Sequence, residues 1–132
     1  MSEAYISNGL LRPCTKRSIC VSSNPASKKK LFIQPFRYSH GVYPASLKES
    51  VKKHIQKNFK SSLIKYGENY LYFEIKNAFS KDDLEILLVQ EKRELHFRSS
   101  ARGGFWDFGR NRSRVNKLKH LLEIEFTKSN KK

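Results

Sequence analysis

Cysteine, acidic residues and long apolar runs are all scarce in this 132-residue chain. Two cysteines, Cys14 and Cys20, are too few for the disulfide framework of a small cross-linked domain. They also fall short of a tetrahedral metal site, and His40, His54, His96 and His120 lie scattered without a metal-ligand spacing. The two sulfurs are therefore read first as free thiols, with a local disulfide as the alternative and metal ligation behind both. No apolar run approaches the roughly 20 residues that span a bilayer. The longest is Ile86-Leu87-Leu88-Val89, inside a charged setting, and the opening residues lack a secretory apolar region. The length leaves no room for two independent cores, which excludes a large multi-site enzyme.

Acid is the sharpest shortage: 12 Asp and Glu stand against 27 Lys and Arg, a formal charge of +15. Residues 1–66 hold only two of the acids and 13 of the bases, so the front half is the electrostatic half. A field of this sign concentrates anions of any kind and weakens with salt. With 38% hydrophobic and 12% aromatic residues the chain still supports a packed interior, so it reads as a basic globular domain and not a disordered basic tail.

Residues 1–11 show little pattern and are expected to be a flexible lead. Residues 12–30, with Pro13, Pro25 and the Lys28-Lys29-Lys30 run, are expected to form a loop laid over the domain. Leu31-Phe32-Ile33 suggests a short edge strand that Pro35 stops. From Pro44 the period becomes helical: Leu47, Val51, Ile55 and Phe59 recur every fourth residue, and Ser46 with Glu49 has the form of a capping box. The opposite side of this helix carries Lys48, Lys52, Lys53 and Lys57, read as a solvated face with an anion-docking patch as the alternative.

Beyond Asn58 the period falls to two. Ser62–Tyr66 and Tyr70–Lys76 read as strands around a Gly67-Glu68-Asn69 turn, and residues 84–99 as an antiparallel hairpin turning at Glu91-Lys92-Arg93. Val115, Leu118, Leu122 and Phe126 then mark a second amphipathic helix starting near Asn111, and residues 128–132 a basic tail. The expected fold is α+β: one domain over residues 12–127, with an antiparallel sheet of 3–5 strands and both helices on one face.

The chemistry concentrates in residues 98–114, which place five arginines and Asp107 around a strand-to-helix connection. Glycines 103, 104 and 109 permit unusual backbone angles, Asn111 is placed to cap the following helix, and a helix start favours an anion. Arg98, Arg102 and Arg112 are then candidates to complete a pocket for phosphate or carboxylate. The architectural alternative is favoured: Asp107 pairs with Arg98 or Arg102, and the remaining donors go to backbone carbonyls. Trp106, with Phe105 and Phe108, is expected in core or loop packing. His96 is expected at the surface, and Asp82 and Asp83 as turn-formers. No catalytic constellation is recognised, so a non-enzymatic role without cofactor or metal is expected.

This segment resembles the signature of the family called domain of unknown function 1499, with Arg98, Ser99, Arg102, Gly104, Asp107, Gly109, Asn111, Arg112 and Arg114 on its positions in register. Asp82-Asp83-Leu84-Glu85 resembles the opening of the family's preceding strand. Pro13-Cys14 and Cys20-Val21-Ser22-Ser23 resemble its first stretch, so the similarity spans roughly residues 12–122. Thr15, Ile19, Ala101 and Gly103 depart from the pattern. The resemblance implies that the cysteine segment belongs to the domain and that Arg98, Ser99, Arg102, Asp107, Asn111, Arg112 and Arg114 share a site. It also implies a source among bacteria, including cyanobacteria, or chloroplast-bearing eukaryotes, and names no reaction. The expected role is a small basic binding or scaffold module that docks an acidic protein or a small anion through the arginine-rich loop. The alternatives are RNA binding and a peripheral place on an anionic membrane such as the thylakoid. The expected compartment is the bacterial cytoplasm or the plastid stroma.

Overall fold

The computed structural model describes residues 6–7, 9–15, 19–104 and 106–130. The elements run β1 (Ile6–Ser7), β2 (Leu10–Leu11), β3 (Cys20–Ser22), β4 (Phe36–Arg37), α1 (Pro44–Asn58), β5 (Ser61–Tyr66), β6 (Tyr70–Lys76), β7 (Lys81–Val89), β8 (Glu94–Ala101) and α2 (Arg110–Asn130). Strands β3, β8, β7, β6 and β5 lie side by side, and β4 pairs with β8 beyond the end of β3, giving an antiparallel sheet of six strands. The α+β class expected from the sequence holds, with a sheet one strand larger than the upper expectation.

The periodicities decide which face is which. Leu71, Phe73 and Ile75 of β6, Leu84, Ile86 and Leu88 of β7 and Leu95 and Phe97 of β8 alternate onto one face, because successive strand side chains point to opposite sides. Leu47, Val51 and Ile55 of α1 and Val115, Leu118 and Leu122 of α2 cover that face. Each of these side chains contributes about 1.5–3 kcal/mol of burial. Phe59 and Phe126 close the margins.

Helix α1 starts earlier than the Ser46 capping box suggests. Tyr43 is its N-cap residue and makes no side-chain cap, and Pro44 at the first position needs no N–H partner there. Glu49 bonds instead to Tyr66. The hairpin of β7 and β8 turns through Gln90–Lys92, with Arg93 in the left-handed region.

Three expectations about the front of the chain change. Cys20–Ser22 is not loop but strand β3, paired with Arg98–Ser100 of β8. The edge strand lies after Pro35, at Phe36–Arg37, whereas residues 29–31 make a turn of 3₁₀ helix. Pro35 lacks the N–H a ladder needs, so pairing begins only beyond it. Residues 10 and 11 form a strand, and Leu11 is buried against Tyr70 and Leu87 on the sheet face away from the helices. The front of the chain thus makes a third layer over part of that outer face.

Candidate functional site

Strand alternation divides the signature residues. Ser99 falls in a cross-strand row with Phe73, Leu84 and Val21 on the helix-covered face, whereas Arg98 falls in a row with Tyr72, Glu85 and Ser22 on the outer face. Ser99, Asp107, Asn111 and Arg114 come together; Arg98, Arg102 and Arg112 do not join them.

The inner group is a buried polar network at the start of α2. The Ser99 hydroxyl donates to Asn111 Oδ1 at 2.6 Å, and Arg114 Nη1 donates to both Ser99 Oγ at 3.0 Å and Asn111 Oδ1 at 2.8 Å. Asn111 Nδ2 donates to Asp107 Oδ2 at 2.9 Å. The side chain that serves the helix start is that of Asp107 and not of Asn111: Asp107 Oδ2 accepts the Asn111 N–H at 3.4 Å and Oδ1 the N–H of Gly109, just before the helix, at 2.8 Å. Nor does Asp107 pair with Arg98 or Arg102. The counter-charge in the network is Asp82, fully buried, which accepts from Arg110 Nε and Nη2 and from Arg114 Nη2, each at 2.8 Å. Burial alone would raise the Asp82 carboxyl, but the hydrogen bonds from Arg110 and the Arg114 charge outweigh it and hold it below the ordinary value. Arg114 also sits over the Phe59 ring at 5.7 Å. Arg112 is spent elsewhere, donating to the carbonyls of Lys30 at 2.7 Å and Phe32 at 3.0 Å.

Arg110 and Asp82 are the members that sequence reasoning overlooked. Asp82 and Asp83 are strand residues, not turn-formers, and being adjacent they face opposite sides: Asp82 goes inward to Arg110 and Arg114, and Asp83 outward to Arg102. Paired acids at a strand start beside an arginine-rich return were the available signal.

On the outer face Arg102 bonds Asp83, Glu74 and Tyr72. Beside it opens a cleft of about 470 Å³ lined by Arg12, Cys14, Cys20, Arg98, Ser100 and Arg102, among others. Cys14 and Cys20 form a disulfide, with Cα atoms 5.9 Å apart, so they are not free thiols. The bond and Leu31 make a small apolar cluster that holds the loop bearing Arg12 to β3. Arg98 Nε donates to the Arg12 carbonyl at 3.2 Å, while Nη1 lies 3.8 Å from Glu85 Oε1. Burial and then the neighbouring Arg12 charge push Arg98 below its ordinary value. Burial pushes the Glu85 carboxyl up, against a hydrogen bond from Tyr70 at 2.6 Å. Burial thus acts against the charge of both groups, whose nearest atoms lie 3.8 Å apart.

His96 is buried, not at the surface. Its Nδ1 lies 2.7 Å from Ser23 Oγ, and its Nε2 lies 2.9 Å from Glu94 Oε1, while Glu94 Oε2 meets Arg37 Nη2 at 3.0 Å. The line resembles a nucleophilic relay in outline only. Ser23 is 1% exposed, and its Oγ accepts the Phe97 N–H at 3.0 Å, which stitches the chain after β3 to β8.

The four α1 lysines stand in two kinds of surroundings. Lys48 donates to the Gly67 carbonyl at 2.9 Å and, with Lys52, sits over the Tyr66 ring; Lys52 also pairs with Glu49 at 3.4 Å. Lys53 and Lys57 are exposed. Trp106 and Phe108 are not core: both are exposed, with rings 6.2 Å apart edge to face. Phe105 lies outside the described residues. No helix among the described residues is long and apolar enough to cross a membrane.

A family model described as "Protein of unknown function (DUF1499)" matches residues 10–122. No curated protein and no solved structure matches the chain.

Proposed function

The chain belongs to that family, whose description assigns no activity, so its role has to be read from its own site; we propose that it is a binding module for a small phosphate- or carboxylate-bearing anion. The site is the outer-face cleft between the disulfide-held loop and β8, and not the connector to α2. The observation that supports this is the placing of Arg12 and Arg98 together on the cleft wall, with Ser100 and Arg102 beside them. Arg12 and Arg98 carry like charge that disfavours Arg98, and the ion-pair contact of Arg98 is a Glu85 oxygen at 3.8 Å, beyond hydrogen-bond reach. An entering anion offsets that positive charge and offers the Arg98 fork a planar or tetrahedral acceptor. The buried network of Ser99, Asn111, Arg114 and Asp82 is the support beneath it, because it fixes the end of β8 from the other side of the sheet.

Binding to the folded state raises stability by mass action. Inorganic phosphate and citrate should raise the melting temperature saturably, where chloride at equal ionic strength does not. Arg12→Gln and Arg98→Gln should remove the response while Arg112→Gln keeps it. A response equal in all three variants, or none in the native chain, would overturn the assignment.

A further inference from the structure

We propose that the tip of the molecule carrying Phe79, Trp106 and Phe108 is a docking surface for an anionic lipid bilayer. This inference does not rest on the anion cleft. Phe79 is 101% exposed, Phe108 87% and Trp106 60%, although apolar rings of this size normally go inward.

The fold brings the three to one end. The Lys76–Lys81 pair closes the turn that bears Phe79, and the adjoining Asp82–Ala101 pair places the exit of β8 beside it. The connector bearing Trp106 and Phe108 leaves from there, and Arg110 at its far end returns to within 3.5 Å of Ser80 Oγ. Phe108 holds a left-handed backbone angle (φ 53°), a conformation unfavourable for a bulky residue, yet its ring makes little use of this chain as a packing surface. A strained backbone that turns an aromatic ring into water favours a use outside the fold.

The surroundings indicate which partner fits. Lys60, Lys76 and Lys81 stand exposed at the same end, where the Lys76 N–H donates to the Lys60 carbonyl at 2.8 Å. The acids there are engaged: Glu74 with Lys81 and Arg102, Asp82 with Arg110 and Arg114, and Asp83 with Arg102. A tip of two phenylalanines and a tryptophan at the end of the sheet that also carries Lys60, Lys76 and Lys81 has the chemistry of an interfacial anchor. The rings enter the headgroup boundary, where tryptophan is favoured, and the ammonium groups meet lipid phosphates.

Trp106 is the sole tryptophan, so its emission reports the contact directly. Vesicles of phosphatidylglycerol and phosphatidylcholine should shift the emission to the blue and sediment the protein. Vesicles of phosphatidylcholine alone should bind at least about tenfold more weakly. Replacing Phe79 or Phe108 by serine should lower the partition coefficient about tenfold each. Phe108→Gly separates function from folding, because it relieves the backbone angle without removing a buried contact. Its melting temperature should equal or exceed that of the native chain while vesicle binding falls. Arg12→Gln/Arg98→Gln should keep vesicle binding, which separates failure of the tip from failure of the cleft. An unshifted emission with anionic vesicles, or binding unaffected by Phe79→Ser/Phe108→Ser, would refute the proposal. So would an emission shift produced by RNA or an acidic protein but not by the vesicles.

Discussion

Replacing Asp82 by alanine removes the one acid that both Arg110 and Arg114 meet in the inner network, and the two arginines respond differently. The Arg110 side chain is 30% exposed and can turn to water; that of Arg114 is 5% exposed and cannot. Its remaining hydrogen-bond partners, Ser99, Asn111 and Asn77, are neutral, and Asp107 acts on it only at longer range. Taking away one partner of a buried ion pair costs about 3–5 kcal/mol, because the other charge stays desolvated and uncompensated. For a chain of this length that is a melting temperature lower by on the order of 10–20 °C, a large part of a typical total of about 5–15 kcal/mol. Urea unfolding followed by circular dichroism, with a thermal melt beside it, measures the change. Adding Arg114→Met should recover part of the loss, since the orphaned charge is what destabilises. The linkage has a definite sign. The Asp82 carboxyl is held below its unfolded value, so its stabilisation is complete above about pH 4 and fades as pH falls through the folded value. The variant should therefore lose less stability on acidification than the native chain. A cost under about 1 kcal/mol, as for a surface pair, would refute the account of the network.

Glu85 should behave in the opposite way. Its carboxyl is raised by burial, so stability falls as pH rises from about 4, until the folded group ionises. Glu85→Gln should accordingly melt higher than the native chain at neutral pH and no higher at acid pH; equal melting at both would contradict this. Reducing the Cys14–Cys20 bond, whose partners are six positions apart, should cost about 2 kcal/mol of loop entropy. It should also weaken the phosphate response of the cleft, because it frees the segment that carries Arg12. A Cys14→Ser/Cys20→Ser chain that matches the oxidised native chain in both respects would show that the bond does neither.

The sequence by itself determined what local periodicity can carry. The every-fourth-residue pattern of Leu47, Val51 and Ile55 and the alternation of Leu71, Phe73 and Ile75 specify a helix, a strand and the buried side of each before any contact is known. The density of arginine around Asp107 likewise marked where polar chemistry gathers. Tertiary structure decided the partners. Arg98 and Ser99 are neighbours in the chain and lie on opposite sides of the sheet, so one dense signature became a buried support and a separate cleft. Asp82 found Arg110 and Arg114 because β7 pairs with the strand that leads into α2. Cys20 became a strand residue because β8 offered an open edge, and Phe79 met Trp106 and Phe108 at one tip through the β6, β7 and β8 register. Composition and spacing act over a few residues, whereas strand pairing joins positions tens of residues apart. Only that pairing tells a charge that serves the interior from one that faces the outer cleft.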